Sequence, residues 1–152
     1  MAELKFSQNV VFDSERVARV LFSPSYISEG RVAPTAFRWY VLKNGDVEDY
    51  ISVLRESGQD INALSLKFRP RDDGDERFGY AWLLVKGVRN ISGFMNNTTV
   101  NVKPFPSKKL PNHAGIEVYV DGRKVDAHTP IVPEVMVVQK LLAELCSAPI
   151  KF

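Results

Sequence analysis

His113 is the residue whose type and setting most suggest chemistry. An imidazole titrates at about pH 6.5, so it exchanges protons under physiological conditions. It follows Pro111-Asn112 and precedes the alternating segment Gly115–Val120, and loops held by a scaffold often carry binding or catalytic groups. The same setting also gives it a structural use. Each proline removes a backbone donor, and ring nitrogens can brace a loop that lacks them. A second group lies in Gly30-Arg31-Val32-Ala33-Pro34-Thr35-Ala36-Phe37-Arg38-Trp39-Tyr40, where Arg31 and Arg38 stand among aromatic residues. Guanidinium forks suit phosphate or carboxylate, and aromatic faces suit a base. The plain alternative is a strand with Phe37 and Trp39 on one face and Arg38 and Tyr40 on the other. Ser52 and Glu117 are the groups that could assist His113 in an enzyme.

Other chemistries find no support. The sequence contains no Gly-x-Ser-x-Gly elbow, no phosphate-binding Gly-x-x-x-x-Gly-Lys-Ser/Thr, no Gly-x-Gly-x-x-Gly and no His-Glu-x-x-His or Cys-x-x-Cys. His128 stands apart from His113, so no metal site is expected, and no cofactor either. Asp72, Asp73, Asp75 and Glu76 lack the ligand spacing of a calcium loop. Cys146, the single cysteine, ends an apolar stretch and reads as a buried, inert thiol. With 20 basic and 18 acidic residues the net charge is only +2, too even to mark a nucleic-acid binder. Lys103, Lys108 and Lys109 beside Phe105 would make few phosphate contacts, which argues against nucleic acid as a partner.

The elements that must position these groups follow from pattern. Asp13 or Ser14 is suited to cap a helix through Val17, Val20 and Leu21, which share a face. Phe37–Leu42 reads as a strand, Asn44-Gly45 as a tight turn, and Tyr50–Leu54 as a strand. Asp60 is placed to cap a helix over Ile61–Phe68. The charged stretch 69–77 reads as a loop. Tyr80–Val85 is a nearly continuous apolar run, as in a strand covered on both faces. Thr98–Lys103 and Gly115–Val120 alternate, and Asp121-Gly122 is a hairpin turn. Gly87 and Gly93 read as breaks. A last helix begins at Pro133, carries Val135, Val138, Leu142 and Leu145 at helical spacing, and ends before Pro149. Its other positions are mostly apolar, so it is expected to be largely buried, in this domain or against a second copy in a homodimer. The expected fold is α+β: a mainly antiparallel sheet, a few short helices and a C-terminal amphipathic helix, in one domain over 1–152. No run reaches the roughly eighteen apolar residues of a membrane helix, and the first residues do not read as a secretory signal. A cytoplasmic location is therefore expected.

The segments Arg19-Val20-Leu21-Phe22, Tyr26-Ile27-Ser28-Glu29-Gly30-Arg31-Val32, Ala36-Phe37-Arg38, Tyr50-Ile51-Ser52-Val53, Gly79-Tyr80-Ala81 and Pro111-Asn112-His113-Ala114-Gly115-Ile116 resemble a group of small bacterial proteins of unknown function. The resemblance spans about residues 16–120. It implies no activity, but it draws Arg38, Ser52 and His113 together as members of one site. The leading expectation is a non-enzymatic binding or protein-interaction module, built from the Gly30–Arg38 segment and the His113 loop. The rival is a small enzyme acting on a nucleotide or other phosphorylated substrate. In it Arg38 would hold phosphate, His113 would move a proton, and Ser52 or Glu117 would assist. That rival requires Arg38, Ser52 and His113 to meet in one pocket.

Overall fold

The structure, a computed structural model, describes residues 9–68 and 76–152. Most of the charged stretch 69–77 lies outside them. The elements run β1 (Arg16–Leu21), β2 (Ile27–Ser28), β3 (Arg31–Val32), β4 (Ile51–Arg55), α1 (Ile61–Ser65), β5 (Gly79–Leu84), α2 (Val85–Asn90), β6 (Thr98–Pro104), β7 (His113–Val120), β8 (Arg123–Lys124), α3 (Pro133–Leu145) and β9 (Ile150–Lys151). One sheet has the order β6-β7-β4-β1-β5-β9, with β8 also on β7, and every pairing is antiparallel. β2 and β3 form a separate ribbon. This is the α+β architecture expected, with the C-terminal helix in place. Among the described residues no helix is long and apolar enough to cross a membrane.

Strand alternation sorts the sheet into two unequal faces. On the first, Val17, Leu21, Ile51, Val53, Ala81, Leu83, Ile116 and Val118 are sealed by Val85 and Val88 of α2 and by Val135, Val138 and Leu142 of α3. On the second, Ala18, Val20 and Leu54 are covered by Ile61 and Leu64 of α1 and by Leu110. α1 has only five residues, capped by the Asp60 carboxylate, which accepts from the Asn62 N–H at 3.3 Å. So short a helix leaves part of the second face bare, and a cleft lies there.

Several local expectations are corrected. The segment Val17–Leu21 is a central strand, not a helix. Both its faces are covered and both its edges are paired, so it reads as a continuous apolar run whose spacing also fits a helix. Phe37–Leu42 is not a regular strand and makes only an isolated bridge, Val41 to Val47. Trp39 and Tyr40 are neighbours yet both buried. The Ala36 and Arg38 carbonyls bond to the Arg19 side chain rather than to a ladder. Gly87 does not break the chain but lies inside α2. A Cβ there would sit 3.1 Å from Leu145 Cδ2, so glycine lets the end of α3 approach. In α3, Met136 and Val137 are exposed, so the helix is less buried than its composition suggests. The Asp121-Gly122 turn forms as expected, both residues having positive φ (53° and 76°).

The outer edge of β6 is closed by side chains. Ser92 Oγ accepts from the Val100 N–H and donates to the Val100 carbonyl. Asn101 Oδ1 accepts from the Val102 N–H, and Arg89 Nη2 donates to the Val102 carbonyl.

Candidate functional site

The register of β4 on β7 builds the centre of the site. Leu54 lies opposite His113 and Ser52 opposite Gly115, which makes Ser52 and His113 diagonal neighbours on one face. Ser52 Oγ lies 2.5 Å from His113 Nε2. The other ring nitrogen, Nδ1, is 3.0 Å from the Phe105 carbonyl oxygen. A carbonyl only accepts, so Nδ1 carries a proton. In the neutral ring Nε2 is then the acceptor, and the Ser52 hydroxyl donates to it.

The loop explains why the imidazole is held this way. The Phe105 N–H donates to the His113 carbonyl, extending the β6–β7 ladder, but the His113 N–H turns back to the Leu110 carbonyl. The ring N–H supplies the donor that Phe105 would otherwise lack. His113 therefore braces its loop with one nitrogen and meets a serine hydroxyl with the other.

Around this pair stands an aromatic wall. Tyr50 and Phe105 stack at 4.5 Å between ring centroids and 19° between planes. Tyr50 and Phe68 meet the His113 ring edge-on at 5.6 and 6.0 Å. Phe22 contacts Tyr40 and Phe68, both at 5.9 Å. Gly115 makes room for the stack. A Cβ there would fall 2.7 Å from the Tyr50 ring and 2.8 Å from that of Phe105. The cleft so formed has a volume of about 520 Å³, the size of a small-molecule site.

Among the described residues its charge is one-sided. Arg19, Lys67, Lys108 and Lys109 line it, against the single carboxylate of Glu48. Arg19 is fully buried, so it contributes field rather than direct contact. Its guanidinium donates to the carbonyls of Ala36 (2.9 Å), Ser52 (2.7 Å) and Arg38 (3.4 Å). It also lies 5.9 and 5.7 Å from the ring centroids of Phe22 and Tyr40. Among the described residues no carboxylate pairs with Arg19, Lys67, Lys108 or Lys109. A cleft of one sign with low-dielectric walls concentrates its potential on whatever enters.

The residues singled out in the sequence are not all in this place. Ser52 and His113 meet. Arg38 is exposed and lies over Tyr40, 5.1 Å from its ring centroid, outside the cleft lining. Arg31 lines a separate depression beside α3 with Lys140, Glu144 and Cys146. Glu117 shares the face of His113 but is bound by Lys124 (2.6 Å) and Lys103 (3.0 Å). Burial pushes its carboxyl up, but the hydrogen bonds from Lys124 and Lys103 outweigh this and hold it below the usual value. The Cys146 thiol is pushed up to about 12 by burial, so it is not a nucleophile at neutral pH. Among the described residues no group of three or more His, Cys, Asp or Glu side chains is placed to hold a metal ion.

Sequence reasoning passed over Arg19, Lys67 and Phe68 as parts of the site. A usable signal existed for Arg19, a lone charge inside Val17-Ala18-Arg19-Val20-Leu21. Such a residue is tolerated in a covered strand only with dedicated partners. No family model, no curated protein and no solved structure matches the chain.

Proposed function

We propose that the chain binds a small anionic ligand with a flat aromatic body in the cleft around Ser52 and His113. A mononucleotide or another phosphorylated aromatic compound has that size and charge. The observation that carries this reading is Arg19, a fully buried guanidinium with no carboxylate partner among the described residues, set behind an aromatic wall. A buried charge held only by carbonyl dipoles gains when an anion arrives nearby in the same low-dielectric surroundings. Lys67, Lys108 and Lys109 extend the positive lining toward solvent, where they would speed capture of an anion. The bound group would meet Lys108 and Lys109 from the loop that His113 braces, not Arg38.

The test is thermal unfolding and calorimetric titration with adenosine 5′-monophosphate, adenosine and inorganic phosphate. A ligand at a hundred times its dissociation constant stabilises by about 2.7 kcal/mol, which is several degrees for a domain of this size. The nucleotide is expected to shift melting more than either fragment. The shift should vanish in the exposed double variant Lys108→Glu/Lys109→Glu. Absence of any shift across a panel of mononucleotides and aryl phosphates at millimolar concentration would overturn the proposal.

A homodimer through α3 is a second, independent reading. What supports it is the exposure of Ile131, Met136 and Val137, large apolar side chains at and near the start of that helix. Light scattering at tens of micromolar protein tests it, and a monomer mass would end it.

A further inference from the structure

We propose that Ser52 is a nucleophile and that the cleft hydrolyses carboxylic esters of compounds carrying an anionic aromatic group. The inference rests on the binding reading above and names the chemistry of the same site. A serine hydroxyl is a weak nucleophile unless a base takes its proton as it attacks, and that base must be held in one tautomer by a third group. All three parts are present. Ser52 Oγ is 2.5 Å from His113 Nε2, and His113 Nδ1 donates to the Phe105 carbonyl at 3.0 Å. The carbonyl stands where a carboxylate is more usual. It fixes the ring equally well but stabilises an imidazolium less, since it offers a dipole rather than a full charge.

The reaction balances without another reagent. Ser52 Oγ attacks the ester carbonyl carbon as its proton passes to Nε2. The C–O bond to the leaving alcohol breaks, and Nε2 returns the proton to that oxygen. Water then attacks the acyl-serine, giving up its proton to Nε2, and the acid is released as Oγ regains a proton.

Charge links the chemistry to the ligand. Arg19, Lys67, Lys108 and Lys109 line the same cleft as the pair, with Glu48 the only acid among its described lining residues. This positive lining attracts an ester that carries its own negative charge and holds it beside Ser52. The same cations then favour the oxyanion that develops on the attacked carbonyl. A neutral ester gains no such attraction.

The experiment is labelling with a fluorophosphonate probe, which forms an Oγ–P bond and expels fluoride, followed by peptide mass spectrometry. The expected result is a label on Ser52 that is absent in Ser52→Ala and slowed by about a hundredfold or more in His113→Gln. Ser52→Cys gives a second readout. Its thiol should react with iodoacetamide, while partly buried Cys146, its thiol pushed up to about 12, does not. Hydrolysis of an anionic aryl ester should exceed that of its neutral analogue about tenfold or more in kcat/KM, a preference lost in Lys108→Glu/Lys109→Glu. Folded wild type that binds adenosine 5′-monophosphate but takes no label overturns the nucleophile and leaves the binding reading standing. Label on Ser52 without nucleotide binding or anionic preference supports the nucleophile and overturns the binding reading. Label only on other residues also overturns the nucleophile.

Discussion

Among the described residues two arginines are fully buried, Arg55 at 1% exposure and Arg19 at 0%, and they are treated in opposite ways. Arg55 is closed. Its Nε and Nη2 meet the two oxygens of Glu15 at 2.7 Å each, and Nη2 also reaches the Val10 carbonyl at 2.9 Å. Its charge is neutralised where it sits, and it ties the segment before β1 to β4. Arg19 receives three carbonyls and two aromatic rings but no anion from the described residues. One arginine completes a fold; the other leaves a positive charge facing a cleft. The lesson is that burial alone does not mark a structural ion. Arg55 has its counter-charge within the chain, and the proposed role of Arg19 takes its counter-charge from a ligand.

The comparison can be broken most forcefully at Glu15. Glu15→Ala strands the Arg55 charge and should cost about 3 kcal/mol in urea unfolding, the lower end for breaking a buried pair. Adenosine 5′-monophosphate affinity should not change. Arg19→Met has the inverse signature. It removes an uncompensated charge, so stability should fall by less than about 2 kcal/mol although three carbonyls lose a donor. Affinity should drop about tenfold or more, or ~1.4 kcal/mol. Equal stability losses in the two variants would erase the distinction.

Gly115→Ala alters the cleft while sparing both arginines. The new Cβ must displace the Tyr50–Phe105 stack, costing about 1–3 kcal/mol, and binding should weaken with it. Glu117 is a third buried charge, of the closed kind. Glu117→Gln should cost about 1–2 kcal/mol, discounted because Lys103 and Lys124 reach solvent. Its carboxyl titrates below the usual value in the folded chain. The stabilisation is therefore present above about pH 4.5, the ordinary carboxyl value, and is lost as pH falls through the lowered native one. Acid unfolding of wild type and Glu117→Gln should converge in that range. The smallest effect is at Cys146. With its thiol pushed up to about 12, it should stay unmodified by a thiol reagent at pH 8 until the chain unfolds.

Much of the sheet was legible because β4, β5, β6 and β7 carry plain strand patterns and Asp121-Gly122 can form only a narrow set of turns. β1 was not, since a strand covered on both faces loses the alternation that distinguishes it from a helix. The Phe37–Leu42 segment misled because its aromatic residues serve the core while its carbonyls serve Arg19, a tertiary demand with no local trace. Ser52 and His113 were each visible as residue types. Their meeting was expected only through the resemblance, because 61 positions separate them and only the β4–β7 register makes them neighbours. Arg38 was given a phosphate-binding part on its residue type, its aromatic neighbours and the resemblance, and its side chain lies outside the cleft lining.

The sealed edge of β6 bears on how copies of this chain meet at high concentration. An edge strand whose outward amides and carbonyls already have partners offers no template for another strand. Ser92, Asn101 and Arg89 occupy those positions along Val100 and Val102. At the opposite end β9 is only two residues long. The sheet is thereby finite by construction, and fibrillar stacking would first require peeling α2 away from β6.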